Sequence, residues 1–332
     1  MADIFDTISD FPRACLQAGP TPLEPLNRIS DHLGIDLWIK RDDLTGLGFG
    51  GNKIRQLEFY FGAAQAKDAD TILITGAVQS NYVRAAAAAA AKLGMKAILQ
   101  LENRVPGKGR LYMESGNVLL GRMLGAEYLS YPDGEDEAGA DKALREKAEE
   151  LLQQGRTPYV IPLGLNNRPL GALGYMCAAR EVLAQKDDFD AVVIASGSGM
   201  THAGFLSGLR ASGSKIPVYG ICVRRSQTEQ QGRIGTVNRN ISDLLQADTG
   251  VEESDIHTWD GALTPGYGLM GPLAQEATEM MAQMEGLFLD PVYTAKTFAG
   301  VIGLLREGVI RPGMRVLFVH TGGLPTLFAY QD

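Results

Sequence analysis

The sequence predicts an α/β protein built on parallel sheets covered by helices. Three observations predict it. Short β-rich runs alternate with helix-like runs over most of the 332 residues. Three of the strand-like runs end in polar or glycine-rich loops, the position where parallel sheets hold ligands. An alanine run at 85–91 follows one of those loops and suits a helix packed closely against its neighbours. In order, the first series of strands is 71–77 (TILITGA), 96–102, 127–131 and 158–162. Helical stretches separate them, the clearest at 139–154 (GADKALREKAEELLQQ). The second series is 191–196, 217–223 and 315–320. No internal repeat or low-complexity linker marks a boundary, but the length fits two lobes.

Hydrophobic residues make up 45% and charged residues 21%, the proportions of a globular chain. The net charge of −8 argues against nucleic acid and acidic membrane surfaces, which both select a basic face. No apolar run approaches the roughly 20 residues of a membrane span. Residues 1–13 lack a basic segment followed by an apolar one, so no signal peptide is expected. Cys15, Cys177 and Cys222 are odd in number and far apart, which suggests a reducing compartment. The four histidines show no metal-ligand spacing, and no metal is expected.

Gly46-Leu47-Gly48-Phe49-Gly50-Gly51 satisfies GxGxxG, yet the charged Lys40-Arg41-Asp42-Asp43 separates it from the preceding apolar run. The acid of the next strand, Asp70, stands at its start instead of its end. A dinucleotide fingerprint fails on both counts, and a Walker loop fails because Asn52 follows Gly51. The loop 196–201 (SGSGMT) joins an apolar strand to a helix expected to start near Thr201. Backbone N–H groups at such a junction bind phosphate, and the hydroxyls of Ser198 and Thr201 add donors. A nucleophile elbow is excluded, since Ser196 and Met200 flank Ser198 at two residues. Lys53 follows two glycines that let backbone approach a flat ligand. A lysine in an apolar or cationic setting can lose its proton and act as an amine nucleophile. Together with a phosphate loop it suggests pyridoxal phosphate.

Six ordered blocks carry a wider likeness: TPLEPL, IKRDDLTGLGFGGNKIRQLE, GAVQSNYVR, SGSGMTHAG, LDPVYTAK and FVHTGGLPTLFAY. Through them the chain resembles the D-cysteine desulfhydrase and 1-aminocyclopropane-1-carboxylate deaminase family, within the fold-type-II pyridoxal phosphate enzymes. The likeness runs from about Pro20 to Tyr330. It implies two open, twisted, mostly parallel sheets in two lobes with the cofactor between them. The larger unit would comprise 1–55 and 160–332, and the inserted unit 56–159. Lys53 would be the Schiff-base lysine, with Asn52 beside it in the cofactor site. Asn81 would hydrogen-bond the cofactor's ring hydroxyl. Ser80 with Gln79 would hold the substrate carboxylate, and Ser80 would share in proton movement. Gly197, Ser198, Gly199, Met200 and Thr201 would cradle the phosphate, and Thr321 would lie at the ring. Tyr293, with Tyr267 nearby, would face the substrate and join the acid–base work. Tyr82 carries no expectation; Arg84 and Arg104 are candidates to serve the sulfonate of a cysteate substrate, and each reads first as a surface or structural arginine.

Two positions separate the subfamilies. The deaminases resembled carry glutamate where this chain has Thr294, and leucine where it has Thr321. A carboxylate at the pyridine nitrogen keeps the ring a strong electron sink, whereas a threonine hydroxyl leaves the nitrogen neutral. Opening a cyclopropane needs the strong sink, and loss of a β-thiol does not. The expectation is α,β-elimination of D-cysteine to pyruvate, ammonia and sulfide by a cytoplasmic homodimer. The alternatives are L-cysteate sulfo-lyase, then the cyclopropane deaminase, then a non-catalytic binder of a phosphorylated ligand.

Overall fold

Alternating runs of Val, Ile, Leu and Ala fill ten strands, and the strands form two sheets. The computed structural model describes residues 3–105 and 107–330. Met1 and Ala2, at the head of the segment read for a signal peptide, and the last two residues of the expected larger unit lie outside them. The strands are β1 (Leu23–Pro25), β2 (Asp36–Lys40), β3 (Thr71–Ala77), β4 (Lys96–Glu102), β5 (Glu127–Tyr131), β6 (Pro158–Ile161), β7 (Ala191–Ser196), β8 (Val218–Cys222), β9 (Ile256–Trp259) and β10 (Arg315–Val319). The larger sheet runs β1-β2-β10-β7-β8-β9 and the smaller β5-β4-β3-β6. Every pairing is parallel except β1 with β2.

All seven expected strands are present. β1, β2 and β9 were not expected, because each is short or carries charged and polar residues at its ends. Lys40 at the end of β2 is buried, its ammonium held by Glu181 at 2.5 Å and Gln185 at 2.7 Å. β3 is buried along its whole length, as a central parallel strand covered on both faces must be. The alanine run lies in helix Asn81–Lys92, where Ala85 through Ala90 are buried and let the helix pack closely. The long amphipathic helix is Glu137–Gln153, capped by Asp136, whose carboxylate accepts from the Gly139 N–H at 2.8 Å. It buries Leu144, Ala148 and Leu151 against Leu73 and Ile98 of the smaller sheet. Helix Met200–Ala211 begins one residue ahead of Thr201.

Among the described residues, no helix is long and apolar enough to cross a membrane, and no group of His, Cys, Asp and Glu is placed to hold a metal ion.

Candidate active site

Parallel sheets present the carboxyl ends of their strands on one side, and here the two sheets turn those ends toward one cavity. It encloses about 860 Å³ including its open mouth. Residues 76 and 77 at the end of β3, 80–82 after it and Arg104 after β4 line it from the smaller sheet. From the larger sheet come 195 near the end of β7, 197–199 and 201 after it, 223–225 after β8, and Thr321 and Gly322 after β10. Asn52, Lys53, Glu137, Leu163, Tyr267 and Tyr293 complete the wall.

Lys53 opens helix Lys53–Gln65. Two residues on, Arg55 is fully buried and reaches Asp42 at 2.9 Å and Glu181 at 2.8 Å, which fixes the start of the helix. The loop before it needs glycine. Gly51 has φ +106°, and a Cβ there would come within 3.1 Å of the Thr321 carbonyl oxygen. Thr321 O in turn accepts the Asn52 N–H at 3.0 Å, so the lysine loop and the β10 loop are joined backbone to backbone. The Lys53 ammonium makes no hydrogen bond or ion pair among the described residues. It lies 5.2 Å from the centre of the Tyr82 ring. Burial lowers its pKa to about 8.

Opposite stands the start of helix Met200–Ala211, capped at Gly199 with φ +103°. The Thr201 hydroxyl accepts from Asn52 Nδ2 at 2.8 Å and from Gln56 Nε2 at 2.7 Å. Both lone pairs are taken, so its proton is free to donate into the cavity. Ser80 caps helix Asn81–Lys92, its oxygen accepting the Val83 N–H at 3.3 Å. Asn81 Oδ1 accepts from Asn117 Nδ2 at 2.9 Å, which orients the amide and leaves its NH2 as a donor. The Tyr267 and Tyr293 hydroxyls lie 2.7 Å apart. Burial, and the Tyr267 hydroxyl beside it, hold the Tyr293 phenol protonated well above its ordinary range.

Eleven expected residues therefore meet in one cavity: Asn52, Lys53, Ser80, Asn81, Gly197, Ser198, Gly199, Thr201, Tyr267, Tyr293 and Thr321. Two, Gln79 and Met200, do not line it. The Gln79 amide donates to the carbonyls of Tyr112 (2.5 Å) and Ser115 (3.0 Å) and accepts the Asn117 N–H (2.9 Å). Both N–H groups of its amide and one lone pair of its oxygen are thus engaged, and they tie the loop after β3 to residues 112–117. Met200 is the first residue of its helix, and its side chain packs partly against the main core. Thr294 also stays outside the cavity wall. It is fully buried, its hydroxyl donating to Asp290 Oδ1 at 2.8 Å.

Sequence reasoning missed Tyr82, Glu137, Arg224 and Arg225 in the wall, and took Arg104 for a surface or structural residue. Arg104, Arg224 and Arg225 each follow the end of a strand, so the strand-end rule could have found them. Arg84 is structural, buried among the Gly48 and Gly50 carbonyls and Asn117.

The residues fit pyridoxal phosphate. The same cavity is lined by an unpartnered buried amine at Lys53, a helix start with the free Thr201 hydroxyl donor, the Asn81 amide with its NH2 to spare, and Thr321.

Comparison with known proteins agrees. The pyridoxal-phosphate dependent enzyme family matches residues 15–322. A D-cysteine desulfhydrase of Salmonella typhi is 40% identical over 331 residues, covering 97% of each chain. A crystal structure described as an ACC deaminase homologue superposes with a TM-score of 0.88 at 39% identity, over 100% of this chain and 98% of that one. Threonine deaminase isoform 2 from Solanum lycopersicum shares the fold alone, with a TM-score of 0.65 at 17% identity over 97% of this chain and 87% of that one. With that agreement between site and relatives, the chain belongs to the pyridoxal-phosphate dependent enzymes and is a lyase of fold type II.

Proposed function

We propose that the chain catalyses α,β-elimination on a β-substituted amino acid, D-cysteine first, giving pyruvate, ammonia and sulfide. The observation that carries this reading is the meeting, in one cavity, of an unpaired buried amine at Lys53 and the Tyr267–Tyr293 hydroxyl pair. The name borne by the 40% identical relative supports the substrate.

Pyridoxal phosphate supplies, when bound, an aldehyde that ties down the amino group and a ring that draws electrons from the α-carbon. The chain's own residues do the rest. Lys53, neutral near pH 8, holds the cofactor and takes the α-proton once a substrate has displaced it. Gly197, Ser198, Gly199 and Thr201 would hold the phosphate at the helix start. The Asn81 NH2 would donate to the ring oxygen, and the Ser80 hydroxyl would hold the substrate carboxylate. Thr321 would be the neutral partner of the ring nitrogen. The Tyr267–Tyr293 pair hands a proton to the departing sulfur. In this reading the inserted unit, 56–159, brings Ser80 and Asn81 to the site, and the larger unit, 1–55 with 160–332, brings the phosphate loop. β6 of the smaller sheet runs past that boundary to Ile161.

One panel tests the proposal: the purified holoenzyme is given D-cysteine, L-cysteine, L-cysteate and 1-aminocyclopropane-1-carboxylate, and sulfide, sulfite, pyruvate and 2-oxobutyrate are scored. D-cysteine is expected to lead, with sulfide and pyruvate in equal amounts. Sulfite or 2-oxobutyrate as the main product would replace this reading with another.

A further inference from the structure

Arg104 stands two residues after the end of β4 and lines the cavity. Its side chain is 8% exposed and its partner Glu102 is 0% exposed. The Glu102 carboxylate is fixed from behind, one oxygen accepting the Thr75 hydroxyl at 2.6 Å and the other the Arg104 Nε–H at 2.8 Å. Glu102 itself does not line the cavity, so the guanidinium stands between that carboxylate and the free space. Nη2 lies 2.6 Å from Glu102 but out of line for a hydrogen bond, and finds no aligned acceptor among the described residues. A buried guanidinium N–H without an acceptor is costly, and an arriving anion removes that cost.

The other arginines of the wall are committed elsewhere. Arg224 and Arg225 both reach Glu137, at 2.9 and 2.7 Å. Arg224 also donates to the Gly134 carbonyl and Arg225 to that of Gly197. Arg104 thus differs from them in having a buried donor to spare, and it shares the cavity wall with the Tyr267–Tyr293 pair.

We infer that Arg104 is a specificity-determining residue, whose guanidinium recognises negative charge on the β-substituent of the substrate. The inference rests on the elimination reading above and extends it: the favoured substrates carry an anionic group at Cβ. In the step served, the Cα–H bond breaks with its proton going to the Lys53 amine. The Cβ–S bond breaks with its electron pair leaving on sulfur, and the three-carbon product takes up water to give pyruvate and ammonia. No oxidant or reductant is consumed. Arg104 holds the sulfur group by charge and hydrogen bonding while the tyrosine pair supplies its proton.

The test uses the Arg104→Gln and Arg104→Lys holoenzymes against a charge series of both enantiomers: β-chloroalanine (uncharged substituent), cysteine and cysteate (fixed sulfonate). Loss of one charged hydrogen bond predicts a KM increase for cysteate, relative to that for β-chloroalanine, of roughly 10- to 100-fold in Arg104→Gln. Arg104→Lys is expected to recover part of that ratio, and cysteine to fall between the extremes. Misfolding or a merely structural role would move all three substrates together and lower cofactor absorbance, so a ratio within about threefold of wild type overturns the inference. A wild type that processes none of the series overturns the elimination reading and the inference with it. A wild type that processes the series, with a uniform loss in both variants, overturns the inference alone.

Discussion

Burial strips water from the Lys53 ammonium, and no carboxylate offsets the loss, so its pKa falls to about 8. The neutral amine is the nucleophile. Capture of pyridoxal phosphate by the cofactor-free chain should therefore accelerate about tenfold per pH unit up to pH 8 and level off above it. Stopped-flow absorbance across pH 6–10 checks this, and a flat profile would contradict it. Lys53→Ala should fold yet lose the visible absorbance of covalently held cofactor and all turnover, and near-normal elimination by that variant would remove Lys53 from its role. Tyr293 is held just as firmly. The Asp290 carboxylate accepts the N–H groups of Val292 and Tyr293 at 3.0 Å each, which fixes the turn that aims the ring. Tyr293→Phe keeps the ring and removes only the hydroxyl, so cofactor absorbance should persist while kcat drops, by about 10²–10⁴-fold for a general acid. Full turnover would show the hydroxyl to be dispensable. At this scale the sequence was legible where a residue sits inside a dense motif, as Lys53 and Asn81 do. It is silent on the partners of Gln79, which lie 33 to 38 residues further along and cannot be read from its own neighbourhood.

At the scale of elements, the phosphate site depends on where a helix begins. Helix Met200–Ala211 starts at a left-handed Gly199, and a Cβ there would stand 3.2 Å from Val237 and 3.4 Å from Ile234. Gly199→Val is therefore strained by both conformation and space, and the loop must shift to admit it. Cofactor retention during dialysis should weaken markedly, while kcat per bound cofactor changes less. Equal retention by variant and wild type would mean that the phosphate is held elsewhere. This junction was legible because a strand, two glycines and a run of small hydroxyl residues coincide within a few positions. The strands β2 and β9 were not. β2 ends in a lysine that looks solvated in sequence, and only the fold supplies Glu181 and Gln185 to bury it. β9 is four residues at the edge of its sheet, too short to display a period.

For the whole molecule, substrate choice follows from what two sheets place around one ring. Glu137, from the helix after β5, binds Arg224 and Arg225 after β8, so charge pairs tie the two halves together across the cavity rim. In the proposed reading the ring nitrogen would meet the Thr321 hydroxyl, and the carboxylate that does line the wall, Glu137, is bound to Arg224, Arg225 and Arg233. The Thr294 hydroxyl is turned to Asp290, and the Asp290 carboxylate is spent on the N–H groups of the following turn, with burial raising its pKa. Neither lines the cavity. A nitrogen met only by a hydroxyl stays neutral, and the ring remains a moderate electron sink. Such a sink suffices when a good leaving group departs after the α-proton, and falls short when a cyclopropane must be opened without that proton. With D-cysteine and 1-aminocyclopropane-1-carboxylate at equal concentration, the holoenzyme should form pyruvate and sulfide far faster than 2-oxobutyrate. Thr321→Leu, which removes the hydroxyl, should slow the D-cysteine reaction without creating the other, because it adds no charge to the nitrogen. Faster 2-oxobutyrate formation by the unaltered enzyme would mean that a charge reaches the nitrogen from a group outside this wall.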